Sequence, residues 1–310
     1  MNTAGVDVGG TKILGVTLDG VEVRVPTPAG AAILDAIVAV AGRLGPVDGV
    51  GVGLAGLVER SGVFRVGPNL PGLVDTPVAG LLSDRLGVAV TVANDATCAT
   101  WAEHQRGAAR GTSDALALTL GTGIGAGIVA GGALQQGAHG FAGEPGHMVV
   151  DPGGRLCPCG RRGCWERYAS GSGLGWLARE AAVGGQGAAL VALAGGDPEA
   201  VRGEHVTAAA SNGDPEALDV FRRFAWWVAL GIANLVNLLD PEVVVVGGGL
   251  VEAGDMLLDP VRTAYRDLVM AGDRRPAVPI VPAELGERAG AIGAALLAAN
   301  VPGQGPRLPR

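Results

Sequence analysis

At 310 residues the chain is too long for one small core, and at about 150 residues per domain it reads as two lobes. Hydrophobic residues make up 48% and charged residues 17%, enough apolar surface to offset chain entropy, which excludes intrinsic disorder. A formal charge of −7, with basic residues scattered along the chain, argues against nucleic acid or an anionic membrane as partner and for a small molecule.

The opening runs 5–8, 12–18 and 21–25 are β-rich and separated by Gly9-Gly10-Thr11 and by the hairpin signal Asp19-Gly20, so three strands begin the fold. With no basic and then apolar run ahead of them, no signal peptide is expected. The spacing of Ile33, Ile37, Val40 and Leu44 predicts a helix over 29–44, followed by a strand at 50–54, a helix near 78–86 and a strand at 88–92. That alternation is α/β. Beyond the glycine-rich joint 106–111 the pattern restarts with a strand at 115–120, the turn Gly121-Thr122-Gly123 and an apolar run over 124–129 that ends at Gly131-Gly132. The openings 6–16 and 118–128 read as a weak internal duplication, each lobe presenting a glycine turn to a shared cleft. A long helix over 215–239 comes next, then a buried strand at 243–246, Gly247, Gly248 and Gly249, a helix near 256–270, a strand near 278–281 and a small-residue helix over 289–299. The longest apolar stretch, 224–239, is shorter than the ~20 residues of a membrane span and carries Asn234 and Asn237, so a soluble cytoplasmic protein is expected. We expect 1–112 to form the smaller lobe together with the helix 288–300, 113–287 the larger lobe, and 301–310 a frayed tail.

Two familiar nucleotide motifs fail. The segment from Gly5 to Lys12 has P-loop glycine spacing, but Thr11-Lys12 inverts the required order and a strand follows it. Gly121, Gly123 and Ala126 match a loose dinucleotide fingerprint, yet a β-rich segment follows where that fold needs a helix. What remains is a set of glycine turns whose backbone N–H groups can approach phosphate oxygens: Gly9, Gly10 and Thr11 with Lys12, Thr122 with Gly123, and Gly247, Gly248 and Gly249. Lys12 is the one lysine among 23 basic residues, and Asp7 is well placed to hold a hydrated Mg²⁺, so a nucleotide cleft is favoured. Asn94-Asp95 ends a strand and precedes a helix, where it reads equally as a helix cap or as a carboxylate that accepts a proton from a substrate hydroxyl. His147, Cys157, Cys159 and Cys164 make a Cys₃His set suited to tetrahedral Zn²⁺ with no open position, hence structural, and Glu144 and Glu166 flank it. Cys98, alone, reads as an inert buried thiol.

In combination, Asp7-Val8-Gly9-Gly10-Thr11-Lys12, Pro68-Asn69, Asn94-Asp95-Ala96, the glycine turn after Leu120, the Glu144 to His147 motif and the cysteine cluster ending in Trp165-Glu166 resemble the ROK family (repressors, open reading frames and sugar kinases) over nearly the whole chain. The run from Trp165 to Gly171 is similar to its glucokinase branch. The resemblance implies an α/β, two-lobed, actin-like ATPase (ribonuclease H-like) fold with a zinc-binding loop, and zinc on His147, Cys157, Cys159 and Cys164. It implies a sugar held by Asn94, Asp95, Glu144, His147 and Glu166, with Asp95 the catalytic base. ATP-dependent phosphorylation of glucose, with Mg²⁺, in a homodimer or homotetramer is the expected activity. Leu73, where many relatives carry an aromatic residue, and Pro145 depart from the pattern on the sugar side, which keeps another hexose or an N-acyl amino sugar as the alternative substrate. A sugar-responsive repressor would need a DNA-binding helix-turn-helix, and only Met1 to Ala4 precede the first strand.

Overall fold

The computed structural model describes residues 2–299, so the tail expected over 301–310 lies outside the described residues. β1 (Thr3–Val8), β2 (Lys12–Thr17) and β3 (Glu22–Pro26) form an antiparallel meander. α1 (Ala32–Arg43) buries Ile33, Leu34, Ile37, Val40 and Ala41, the stripe its sequence spacing announces. β4 (Gly49–Leu54) returns parallel to β1. A small hairpin of β5 (Leu57–Val58) and β6 (Phe64–Val66) and the helix α2 (Val78–Leu86) lead to β7 (Ala89–Asn94), parallel to β4. The sheet runs β3-β2-β1-β4-β7, and α3 (Asp95–Arg106) leaves β7 with no intervening loop.

β8 (Ala115–Leu120), β9 (Ile124–Ala130) and β10 (Ala133–Leu134) open a second sheet. After α4 (Glu166–Ala169), α5 (Gly171–Val183), α6 (Ala188–Leu193), α7 (Gly203–Ser211) and the long α8 (Pro215–Leu239) come β11 (Val243–Gly247), α9 (Asp255–Leu268), β12 (Ile280–Pro282) and α10 (Ala289–Ala299). This sheet runs β10-β9-β8-β11-β12, with β11 and β12 parallel, so each sheet has a three-strand opening followed by two later strands in the same order. The duplication read from the two glycine turns is therefore a repeat of strand order.

The chain divides into two compact units. Among the described residues, the first holds those up to Ala117, Ala126–Gly143 and Ala283–Ala299; the second holds Leu118–Gly125 and Glu144–Pro282. In the first, α10 packs against β1, β4 and α3 at very short range. A Cβ on Gly5 would lie 1.8 Å from Ala291 O, and one on Gly51 1.8 Å from Ala294 O, so the helix backbone rests directly on the strands. In the second, α8 caps its N-terminus with Asp214, whose side chain accepts from Ala217 N, and ends in the left-handed Asp240. The helices α5, α6 and α7 have no clear sequence signal. α5 opens Gly-Ser-Gly-Leu-Gly, a run of poor helix formers, and it is ordered by burying Leu174, Leu177 and Ala178.

Candidate active site and metal cluster

In the first unit, β1 delivers Asp7 and the chain then turns tightly, Gly9 N donating to Lys12 O at 3.0 Å, with Thr27 Oγ1 donating to Gly9 O at 2.7 Å. Gly10 sits against Asn69, with 3.3 Å between its would-be Cβ and Asn69 Cβ, so two separate sequence motifs meet here. Asp7 Oδ1 is buried and has no hydrogen-bond partner among the described residues. Desolvation, with the nearby Asp95 charge adding to it and Lys12 opposing it, lifts the Asp7 carboxyl to about 7. Gly290 of α10 makes room for this carboxylate, since a Cβ there would lie 2.7 Å from Asp7 Oδ1. Lys12 Nζ makes an ion pair with Glu287 at 2.6 Å, and Arg24 reaches the other oxygen of Glu287 at 3.2 Å.

Asn94 is a helix cap in fact: its Oδ1 accepts Thr97 N at 3.0 Å while its Nδ2 donates to Gly56 O at 3.2 Å. Asp95 Oδ1 accepts Ala96 N at 2.9 Å, and burial raises its carboxyl pKa against the opposing pull of backbone N–H groups of Ala96 and Asp95. A carboxylate with a raised pKa is a stronger base once ionised. Cys98, one turn along α3, is a free buried thiol whose pKa burial drives up, as expected of an inert residue.

In the second unit the remaining glycines gather. Gly121 N donates to Gly123 O at 3.0 Å to close the turn between β8 and β9, and Gly171 N, at the start of α5, donates to Gly121 O at 2.8 Å. Ser172 Oγ donates to Thr122 O at 3.0 Å. Gly248 follows β11 with φ +89°, and a Cβ there would lie 2.4 Å from Leu120 O, so only glycine fits. The turn at 121–123, the N-terminus of α5 and the triple glycine after β11 thus form one neighbourhood. The α5 terminus is the part the sequence did not reveal, because that helix was not predicted.

His147, Cys157, Cys159 and Cys164 bring one ligand atom each within 4.8 Å of one another. Cys159 Sγ lies 3.6 Å from Cys164 Sγ, and Cys157 Sγ 3.9 Å from His147 Nδ1. Those separations suit four ligands around a Zn²⁺ at about 2.0–2.3 Å. Pro145 starts the single helical turn that ends at His147, with Met148 N donating to Pro145 O at 2.9 Å. Glu166 stands beside the cluster, Oε1 lying 3.0 Å from Cys157 Sγ and 3.8 Å from His147 Nδ1. Its Oε2 approaches the place a Cβ of Gly123 would take, at 2.9 Å, so the metal cluster and the glycine turn share this carboxylate.

The ROK family model matches residues 3–301. The chain belongs to the ROK family. ROK relatives include a glucokinase of Streptomyces coelicolor, 41% identical over 309 residues that cover 96% of this chain and 97% of the relative. An N-acetylmannosamine kinase of Escherichia coli is 34% identical, covering 96% and 98%. The crystal structure of a ROK family glucokinase from Streptomyces griseus in complex with glucose and AMPPNP is 40% identical, with a TM-score of 0.86, and covers 97% of this chain and all of that one (100%). The α/β architecture here is the ROK sugar-kinase fold, of the actin-like ATPase type.

Proposed function

We propose that this chain is a glucokinase, which transfers the γ-phosphoryl group of ATP to the 6-hydroxyl of glucose. The observation that carries this is the likeness over 97% of the chain to a glucokinase crystallised with glucose and an ATP analogue. In this reading Asp95 is the catalytic base, orienting the 6-hydroxyl and taking its proton. Asn94, Glu144, His147 and Glu166 bind the other hydroxyls. Gly9, Gly10, Thr11 and Lys12, with Thr122, Gly123, Gly247, Gly248 and Gly249, hold the nucleotide. Phosphoryl transfer passes through a loose transition state, so alignment and charge neutralisation supply most of the rate.

The unpartnered Asp7 Oδ1, in the space that Gly290 leaves open, fits a hydrated Mg²⁺. When bound, the ion neutralises charge on the β- and γ-phosphates. The donor set of three thiols and one imidazole fits a closed structural zinc. His147 Nδ1 faces the cluster, so metallation leaves the proton on Nε2, free to donate to a sugar hydroxyl. The chain works in the cytoplasm as a homodimer or homotetramer, away from nucleic acid and membrane. No described helix is long and apolar enough to cross a bilayer. As working lobes we take 1–112 with the C-terminal helix, and 113–287, although the compact units assign Ala126–Gly143 and the residues from Ala283 to the first.

A coupled ADP-release assay with glucose, mannose, fructose and N-acetylmannosamine, each offered ATP or polyphosphate, tests the reading. The highest kcat/KM belongs to glucose with ATP. A preference for N-acetylmannosamine would move the chain to the amino-sugar kinases, and no ADP from any sugar would refute kinase activity.

A further inference from the structure

The loop that carries the cysteines is fastened unevenly. Its far end is locked, because Trp165 is fully buried, donates from Nε1 to Trp227 O on α8 at 2.7 Å, and fills the space that Gly231 leaves. Cys164, its neighbour, is held with it, Trp165 N donating to Met148 O at 2.8 Å. Cys157 and Cys159 sit instead on an arm folded on itself, where Cys157 N donates to Arg161 O at 2.8 Å and Gly160 N to Cys157 O at 2.9 Å. These local bonds shape the arm without fixing it to the body of its unit.

Beyond the Cys157 Sγ to Glu166 Oε1 bond, Arg155 ties the arm to α4 and α5. Its guanidinium lies 3.1 Å from the ring centre of Trp176 on α5 and 4.5 Å from that of Tyr168 on α4. Its Nη1 donates to Arg167 O at 2.8 Å. The Arg155 backbone N–H donates to Tyr168 Oη at 3.0 Å, Tyr168 Oη donates to Asp151 Oδ2 at 2.8 Å, and Gly163 N donates to Arg155 O at 2.8 Å. The planar, delocalised cation can stack on aromatic faces while its edge reaches a carbonyl, which an ammonium cannot reproduce. Gly154 is required beside it, since a Cβ there would lie 1.9 Å from Tyr168 Oη.

We propose that Arg155 is a positioning residue for the metal cluster, holding the Cys157 and Cys159 arm in its metal-binding shape before any ion arrives. The inference rests on the zinc reading above. An arm already ordered loses less conformational freedom when it closes on the ion, so affinity rises and release slows. Because the clasp touches no ligand atom, losing it leaves the donor set intact.

The test compares zinc-loaded wild type with Arg155→Met and Arg155→Lys, following transfer of zinc to a chromophoric chelator and recording the melting curve of each metal-free protein. Arg155→Met is expected to release zinc at least about tenfold faster, as loss of groups that orient ligands typically does. Arg155→Lys should fall between the two, and metal-free Arg155→Met should melt somewhat below wild type but cooperatively, so that faster release is not global unfolding. The KM for glucose should rise in Arg155→Met with that for ATP unmoved. Equal release rates in the three loaded proteins would overturn the role of Arg155 alone. Wild-type protein that takes up no zinc would refute the zinc reading itself, and this inference with it.

Discussion

Asp95 and Asp7 occupy neighbouring positions in the first unit, and burial treats both the same way while their partners differ. Asp95 accepts a hydrogen bond from Ala96 N and begins a helix that Asn94 already caps. Asp95→Asn therefore retains an acceptor for that bond and should fold, keep its glucose affinity within a few-fold by calorimetry, and lose at least about 100-fold in kcat. Its raised pKa places an acid limb on kcat/KM: as pH falls through that pKa the base is protonated and activity is lost. Asp7 bears on stability instead. Its carboxyl is lifted from 3.8 to about 7 in the folded protein, so the native state binds its proton more tightly than the unfolded chain does. Stability from this group is complete below about pH 4 and is lost as pH rises through about 7, in total about 4 kcal/mol. Asp7→Asn should consequently raise Tm at pH 8 more than at pH 5 in metal-free protein, while abolishing activity; equal Tm gains at both pH values would count against the buried, unpaired carboxylate.

At the scale of elements, glycine separates into two kinds. Gly51 lets α10 lie on β4, with Ala294 O only 1.8 Å from where a Cβ would be, and no rotamer relieves a backbone clash. Gly51→Ala should cost at least about 3 kcal/mol, the upper end for overpacking, by denaturant unfolding. Gly42, near the end of α1, is exposed, with nothing within 4 Å of its would-be Cβ. Gly42→Ala should stabilise by about 0.5–1 kcal/mol, from helix propensity and a less free unfolded chain. An abundance of glycine that composition alone leaves undivided thus resolves into close-packing sites and replaceable ones.

For the whole molecule, the repeated strand order means that each sheet opens on its own glycine turn: 9–11 after β1 and 121–123 after β8. The metal cluster belongs to the second unit, as do Glu144 and Glu166, whereas Asn94 and Asp95 belong to the first. Stripping zinc with a chelator should therefore raise hydrogen exchange within Glu144–Pro282, most of all around 148–166, and leave the strands β1, β4 and β7 as protected as before. Glucose affinity should fall with the metal, because His147 and Glu166 lose their fixed orientation, and ATP affinity should change much less. Unchanged glucose binding in protein shown to be zinc-free would separate the metal loop from the sugar.

Much of this was legible in the chain. The α/β alternation, the strand 115–120 and the helices 215–239 and 289–299 were readable because each is a local matter of hydrophobic period, caps and breakers. The Cys₃His set was readable because three of its ligands fall within eight residues, so spacing alone restricts where their sulfurs can go. Tertiary structure decided the rest. The helix α5 starts in weak helix-forming sequence and is ordered by burying apolar side chains, which propensity alone does not see. That Asn94 caps α3 was decided by Thr97 N, and its side-chain amide reaches Gly56, 38 residues away. The lifted pKa of Asp7, the space Gly290 keeps for it, the Lys12 to Glu287 ion pair and the stacking of Arg155 on Trp176 all depend on groups distant in the chain. Desolvation and Coulomb interactions act through space, so they exist only once packing has brought such groups together.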